Sequence, residues 1–302
     1  MLINLFCNIF SQIKDEEFIN YRLRTHTIKM KNIITLLVLL VCFQTYSQRK
    51  PKIKGNKSVI EVREDLPPFN AIELIDDLEI VLQKGSDEGY TINADDNLID
   101  VLKFKVEDST LFISSFYRIT SKKKLEITVN YFELQSITMR DGKINMKDVI
   151  TSDELVVNTF GPSRLELNAT AAVLDINMEG MSSGDFNLAS DSLNITLKDR
   201  IDVRIYSVGA SSSLEMDKNA SAKVEGSTDM FKLNLFGNSN LKAAKFEAGI
   251  INANLEESPN ARLNAYESIA LSSRGSSKTH LYGNGKITIL EFLDTSQLHK
   301  EK

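Results

Sequence analysis

Six charged residues in the second half of the chain could form a site for acid–base chemistry. A carboxylate can act as a general acid or base or hold Ca²⁺, while an arginine stabilises the charge that develops as a bond breaks. The candidates are Asp199, Arg200, Asp202 and Arg204 in one segment, with Asp175 and Glu215 in the neighbouring segments. Such a set is typical of a polysaccharide lyase or hydrolase. Alternating charges along a strand are more often its solvated face, and we favour that simpler interpretation.

Other residue types that support catalysis or metal binding are sparse. His280 stands beside a predicted strand and His299 lies near the end of the chain, so neither a Ser/His/Asp triad nor a histidine-rich metal site is indicated. The pairs Asp76-Asp77 and Asp95-Asp96 could hold Ca²⁺, but they are most simply turn and strand-edge residues. We therefore predict no catalytic residue, no metal site and no cofactor.

The composition is that of a folded, acidic protein. The 302 residues are 42% hydrophobic and 25% charged, with a formal net charge of -5. Proteins that bind nucleic acid without sequence preference need a basic surface to displace counterions. The charge balance therefore argues against a nucleic-acid partner.

The N-terminal region carries an export pattern. An apolar run at residues 33–43 follows Met30 and Lys31, and small residues stand at Thr45 and Ser47. This pattern predicts a signal peptide at residues 30–47, with residues 1–29 as a non-native extension. Two alternatives stay open: a membrane-spanning helix, which needs about 20 apolar residues, and a lipoprotein anchored at Cys42. Cleavage after Ser47 would leave a mature chain with no cysteine and no membrane span.

The segment from residue 137 to residue 289 repeats itself at intervals of 17 to 21 residues. Each repeat begins with two apolar residues two positions apart, which mark one face of a short strand. The repeats begin at Ile137, Leu155, Leu174, Leu193, Leu214, Phe231, Ile251, Ile269 and Ile287. A second short apolar strand follows in most repeats, after breakers such as Gly161-Pro162-Ser163.

This period distinguishes between repeat architectures. Helical repeats run to roughly 33 residues or more, and the frame of a leucine-rich repeat does not recur regularly. The pattern predicts an all-β fold, a single-coil parallel β-helix of about eight turns whose stacking supplies both the core and the backbone pairing.

The remaining parts of the chain have different patterns. Longer strands separated by turn signals at residues 59–134 predict an antiparallel meander that caps the first turn. With no linker before the repeats, residues 59–293 form one predicted domain. Residues 48–58 are predicted to be a structureless basic leader and residues 294–302 a disordered tail.

The order of segments resembles a known family. Before the repeats come FNAIEL from Phe69, DLEIVLQKG from Asp77, DNLID from Asp96, LFIS from Leu111 and LEITV from Leu125. With the turns that follow, this order resembles the head GIN domain family of exported, adhesin-like proteins, over about residues 59–289. The glycine-rich turns of the family are degraded in this chain. Arg140-Asp141-Gly142-Lys143 stands at the first, and Lys198-Asp199-Arg200 replaces another outright. The resemblance implies a right-handed parallel β-helix and a surface or periplasmic location, and it supplies no catalytic residues.

Stacking the repeats predicts one polar column on the outside of the coil. The third residue after each repeat start faces away from the core by strict alternation. The column holds Arg140, Asn158, Asn177, Thr196, Asp217, Asn234, Asn254 and Ser272. An ordinary solvated face, an amide ladder and a docking strip for a glycan or partner are the three interpretations.

The leading functional hypothesis is an exported, non-enzymatic adhesin or envelope interaction module that presents the flank of a β-helix. A glycan or a cell-envelope protein is the expected partner. A carbohydrate-active enzyme and a purely structural envelope component are the alternatives.

Overall fold

The structure, a computed structural model, describes residues 50–302. The predicted extension and signal peptide lie outside the described residues. The strands are β1 (Lys52–Lys54), β2 (Val59–Asp65), β3 (Ala71–Leu74), β4 (Glu79–Lys84), β5 (Gly89–Asp95), β6 (Leu102–Glu107), β7 (Thr110–Ser115), β8 (Arg118–Ser121), β9 (Leu125–Tyr131), β10 (Ser136–Met139), β11 (Lys143–Met146), β12 (Ile150–Thr159), β13 (Arg164–Met178), β14 (Ser183–Leu197), β15 (Asp202–Met216), β16 (Ser221–Leu235), β17 (Asn240–Leu255), β18 (Asn260–Ser273), β19 (Lys278–Tyr282), β20 (Lys286–Phe292) and β21 (Gln297–Lys300). One short helix, α1, spans Asp96–Ile99. Within this part of the chain, no helix is long and apolar enough to cross a membrane.

The long strands β12 to β18 pair in parallel, each with the next along the chain. Leu174 lies beside Leu193 and Leu193 beside Ser212, a step of nineteen residues. In β13 the alternation of burial changes phase between Ala171 and Leu174, both of which are buried. The strand therefore bends there, so that one strand supplies two sides of the coil. The predicted parallel β-helix is confirmed, as a β-solenoid of about nine turns.

Each turn presents two outward surfaces, which are named here by their strand segments. The first face comprises the outward side chains of residues 164–169, 183–188, 202–207, 221–226 and 240–245. The second face comprises those of residues 173–178, 192–197, 211–216, 230–235 and 250–255. Inward side chains from both sides form one hydrophobic core.

The core behind the second face is built from rows of stacked apolar side chains. One row runs through the whole coil and contains Leu111, Ile72, Ile137, Val157, Ile176, Ile195, Leu214, Leu233, Ala253, Leu271 and Ile289. The predicted register was wrong at two repeats. Ile137 lies beside Val157 instead of Leu155, and Leu214 lies beside Ile195 instead of Leu193. A slip of two residues preserves the inward direction of a side chain, so the alternation alone does not reveal it.

The N-terminal strands extend the coil, so the predicted antiparallel meander requires correction. The strands β3 and β4 pair in parallel with β7 and β9 on one side and with β10 and β11 on the other. Antiparallel pairs do occur between β2 and β5, β5 and β9, and β6 and β7. Residues 59–134 therefore combine parallel turns with an antiparallel closure of the first turn, which explains why the coil is longer than predicted.

The leader and the tail are more ordered than the sequence predicts. Lys52–Lys54, inside the predicted leader, pairs in parallel with β8. Gln297–Lys300, inside the predicted tail, pairs in parallel with β19. The last turn is nevertheless incompletely covered. Ile287 and Ile289 continue the inward rows but remain 38% and 45% exposed, because no further turn within residues 50–302 lies over them.

One glycine in β16 permits two neighbouring turns to approach closely. Gly226 has a φ of 118°, a backbone conformation that residues other than glycine rarely adopt. A Cβ atom at this position would overlap the carbonyl oxygen of Ser207, which lies directly beside it in β15. The backbone pairing at this point of the coil therefore depends on glycine.

Candidate functional site

The six predicted acid–base residues are spread over three parts of the coil. Asp202 and Arg204 lie on the first face, whereas Asp175 and Glu215 lie on the second. Asp199 and Arg200 lie in the connection between β14 and β15. The structure therefore does not bring the six together into one constellation.

The local contacts of these carboxylates also differ from those of a general acid. A hydrogen bond from the ammonium of Lys218 lowers the pKa of Asp199, although partial burial opposes the shift. Asp175 Oδ1 accepts a hydrogen bond of 2.8 Å from the amide of Asn194. A general acid at neutral pH requires a raised pKa, and Asp199 has the opposite shift.

The predicted calcium candidates bind protein groups. Asp76 Oδ2 accepts a hydrogen bond of 2.8 Å from the backbone N–H of Ser115. Asp95 is fully buried and accepts hydrogen bonds from the backbone N–H groups of Lys57, Lys123 and Lys124, at 3.2, 3.0 and 3.2 Å. Between residues 50 and 302 no group of three or more histidine, cysteine, aspartate or glutamate residues could hold a metal ion. Asp95 instead joins the leader, β5 and the connection before β9.

The ionised state of Asp95 matters for stability. Burial by itself would raise the pKa of Asp95, but the hydrogen bonds from Lys123, Lys124 and Lys57 outweigh it and hold the pKa below its usual value. A depressed folded-state pKa contributes stability that is complete above the unfolded pKa of about 3.9. That contribution is lost as the pH falls through the lower folded-state pKa.

Replacing Asp95 with asparagine should therefore lower the melting temperature by about 5 °C at neutral pH, since an amide nitrogen cannot accept the hydrogen bonds that the second carboxylate oxygen accepts. The deficit should shrink as the pH falls below the unfolded pKa of about 3.9, since the unfolded carboxylate then takes up a proton, and it should be smallest below the lower folded-state pKa of Asp95. Thermal unfolding followed by circular dichroism between pH 7 and pH 2 measures both effects. Asp153→Asn, at an exposed position of β12, is the matched control. A deficit independent of pH would contradict the assignment.

The predicted polar column exists on the second face, with two corrections. Asn158, Asn177, Asn234 and Asn254 occupy one row across the coil. Glu215 occupies the position in this row that was predicted for Asp217. Thr138 likewise occupies the position that was predicted for Arg140. In both cases the predicted register differs from the observed one by two residues. Asp217 lies beyond the end of β15. The Nδ2 atom of Asn177 donates a hydrogen bond of 3.3 Å to Oδ1 of Asn158, so one step of the predicted amide ladder is present.

The two histidines near the C-terminus lie side by side. The rings of His280 and His299 are stacked with centroids 5.1 Å apart. Nδ1 of His280 lies 2.7 Å from a carboxylate oxygen of Glu301. The sequence alone does not indicate this contact, because it depends on the pairing of β21 with β19, which no local pattern predicts.

A groove lies on the first face. Two adjoining cavities of about 500 and 350 Å³ share Asp185, Arg204 and Lys223 as lining residues. The groove is defined here by the outward residues Glu166, Asn168, Asp185, Asn187, Arg204, Tyr206, Lys223 and Glu225. These residues come from four successive strands, β13 to β16, at the same step of nineteen residues.

Two aligned rows of side chains line the groove. One row contains Asn168, Asn187, Tyr206 and Glu225, and the other contains Glu166, Asp185, Arg204 and Lys223. Neighbouring strands lie about 4.8 Å apart. The groove therefore offers polar groups at regular intervals along the coil axis, with the half-exposed ring of Tyr206 among them.

Ion pairs between neighbouring turns, and one within β16, hold the charged groups of the groove in place. Asp185 binds Arg204 at 2.5 Å and Arg164 at 3.2 Å, and the hydrogen bond from Arg204 lowers the pKa of Asp185 despite opposing desolvation. Glu225 lies 2.8 Å from Lys223 and 3.9 Å from Lys245, and the contact with Lys223 lowers its pKa. These exposed pairs add little to stability. Their effect is to keep the side chains ionised and in position.

Comparisons with known structures agree with the fold. A "putative adhesin" from Parabacteroides merdae is 15% identical, with a TM-score of 0.62, and the match covers 83% of this chain and 100% of that one. A "putative adhesin" from Parabacteroides distasonis is 16% identical, with a TM-score of 0.62 and coverage of 82% and 100%. A "putative lipid binding protein" from Parabacteroides distasonis is 20% identical, with a TM-score of 0.56 and coverage of 83% and 100%. No curated protein matches the sequence significantly.

The chain is a β-solenoid protein. Its turns pair in parallel, its inward apolar side chains form continuous rows, and its outward faces carry regularly spaced polar side chains. More particularly, the chain belongs to the family described as "Putative auto-transporter adhesin, head GIN domain". The family pattern matches twice, at residues 68–191 and 181–285. The resemblance inferred from the order of sequence segments is thereby confirmed.

Proposed function

We propose that this protein is an exported, non-enzymatic adhesin or envelope interaction module that binds its partner through the flank of the solenoid. The family supports an adhesin-like role. The pattern at residues 30–47 supports export through a signal peptide. A glycan or a cell-envelope protein is the partner class, and the location is the periplasm, the cell surface or the medium.

The observation that carries this proposal is the groove across β13 to β16. Its side chains are outward and regularly spaced, and ion pairs between turns hold Asp185 with Arg164 and Arg204, and Glu225 with Lys245. A rigid scaffold that presents convergent polar groups on a concave surface is the usual construction of a binding site. Of the predicted acid–base residues, Asp175 and Glu215 lie on the other face of the coil, away from the groove.

Binding to cell envelopes tests the proposal. The purified protein should sediment with intact cells or envelope fragments, and fractionation should find the protein outside the cytoplasm. Arg204→Ala combined with Lys223→Ala should weaken the association, whereas Asn177→Ala combined with Asn234→Ala on the second face should leave it unchanged. A cytoplasmic location, or no association with any envelope fraction, would overturn the proposal. If the purified protein released oligosaccharide products from a polysaccharide, the proposal that it is not an enzyme would be overturned.

A further inference from the structure

The groove has a balance of charges that restricts the class of its ligand. The two cavities are lined by four cationic residues and four acidic residues: Arg164, Arg204, Lys223 and Lys242, with Glu166, Asp185, Asp202 and Glu225. Asp185 and Glu225 each contact two cations of the chain itself. An anionic polymer would have to compete with these carboxylates for three of the four cations, Arg164, Arg204 and Lys223. The groove is therefore poorly suited to a sulfated or carboxylated chain.

The same groups are well suited to hydroxyl groups. Arg204 uses its Nε atom for Asp185, and its side chain remains 69% exposed, so a ligand can reach the guanidinium group. Asn168 and Asn187 lie side by side in adjacent turns, and neither amide has a side-chain hydrogen-bond partner among residues 50–302. Ionised and amide side chains together offer donors and acceptors to a ligand that carries both, and the bonds to the ionised groups are the stronger ones.

An aromatic ring occupies the middle of this polar row. Tyr206 lies between Asn187 in the preceding turn and Glu225 in the following one, and it is 52% exposed. The face of an aromatic ring is electronegative and attracts the weakly positive C–H groups on the flat side of a sugar ring. Amides, a carboxylate and an aromatic face in one row are complementary to a pyranose, which carries hydroxyl groups at its edge and C–H groups on its face.

We propose that the groove binds a neutral, hydroxyl-rich oligosaccharide that lies along the coil axis with one sugar ring stacked on Tyr206. This proposal rests on the proposed binding function and specifies its ligand. The steps of about 4.8 Å between turns let one chain of linked sugars meet Asn168, Asn187, Tyr206 and Glu225 in succession. The second face does not provide this combination, since its asparagine row contains no aromatic residue.

Titration calorimetry with neutral oligosaccharides, such as gluco-, manno- and galacto-oligosaccharides, tests the proposal. The acidic polymers polygalacturonate and heparin serve as the comparison ligands. At least one neutral series should bind, with little dependence on salt concentration. Tyr206→Ala should weaken binding at least tenfold and Asn187→Ala several-fold, whereas Tyr206→Phe should retain most of the affinity. Asn234→Ala is the control on the second face. Circular dichroism identifies any variant that fails to fold.

The outcomes separate this proposal from the broader one. Binding of acidic polymers alone, with a steep salt dependence, would overturn the neutral-ligand assignment, and so would neutral binding that Tyr206→Ala and Asn187→Ala leave unchanged. Envelope association carried by a protein partner, with no affinity for any glycan, would overturn the ligand class while supporting the proposed function. If the wild-type protein associates with no envelope fraction and binds no glycan, both the proposed function and the proposed ligand would be overturned.

Discussion

Replacing Gly226 with alanine is expected to lower the free energy of unfolding by roughly 3 to 5 kcal/mol, through backbone strain and overpacking together. The φ of 118° is unfavourable for a residue with a Cβ atom. The added methyl group would also overlap the Ser207 carbonyl oxygen, and a backbone atom in a paired strand cannot move aside without disturbing the adjoining turns. Urea unfolding followed by far-UV circular dichroism measures the change.

Gly85 provides the matched control for this substitution. A Cβ atom at Gly85 would meet its nearest neighbour, the Asp87 carbonyl oxygen, at 3.4 Å, which is an ordinary contact distance. Gly85→Ala should change the stability by less than about 1 kcal/mol. Equal effects of the two alanine substitutions would show that the close approach of turns at Gly226 is not what stabilises the strand.

Truncating Ile176 to alanine is expected to cost about 2 to 5 kcal/mol, the range for removing a large aliphatic side chain from a packed core. Ile176 is fully buried, with Val157 and Ile195 as its row neighbours in the adjacent turns. The cavity would lie between two turns whose backbones are fixed by pairing, so the surroundings cannot easily collapse. The same unfolding measurement applies.

The end of the same row supplies the comparison. Ile289 occupies the equivalent inward position in the last turn but is 45% exposed. Ile289→Ala should therefore cost less than half of the Ile176→Ala effect, since much of the side chain is in contact with water before the substitution. A cost at Ile289 equal to that at Ile176 would contradict the view that stacking of turns buries these rows.

The architecture could be predicted because it depends on a pattern of short range. Inward and outward residues alternate along each strand, and the strands recur at a nearly constant interval, so residue type alone indicates a parallel coil. The alternation does not specify register to better than two residues. Ser212 stands at an inward position where a leucine was expected, and Leu214 was therefore placed in the wrong row.

Partners that depend on distant parts of the chain could not be inferred in the same way. The strands β3 and β7 alternate as a meander strand would, yet they pair in parallel with each other. Lys52–Lys54 pairs with a strand more than sixty residues away. No local pattern encodes such a choice, because both pairing directions bury the same side chains.

The groove was missed although its signal is present in the sequence. Asn168, Asn187 and Tyr206 recur at the interval of the repeats, in the strands that follow the breakers. The outward positions that follow each repeat start, from which the polar column was predicted, belong to the second face. Applying the same alignment to the other strand of each turn would have revealed both rows of the groove, though not its concavity.

The constant step of nineteen residues between β13 and β16 makes the length of this coil adjustable in whole units. Gain or loss of one complete unit by duplication or deletion would leave every remaining apolar residue in its own row, whereas any other count would rotate neighbouring rows out of alignment. Each added unit would lengthen the groove by about 4.8 Å. Related chains could thus differ in the reach of their ligand-binding track while sharing one core.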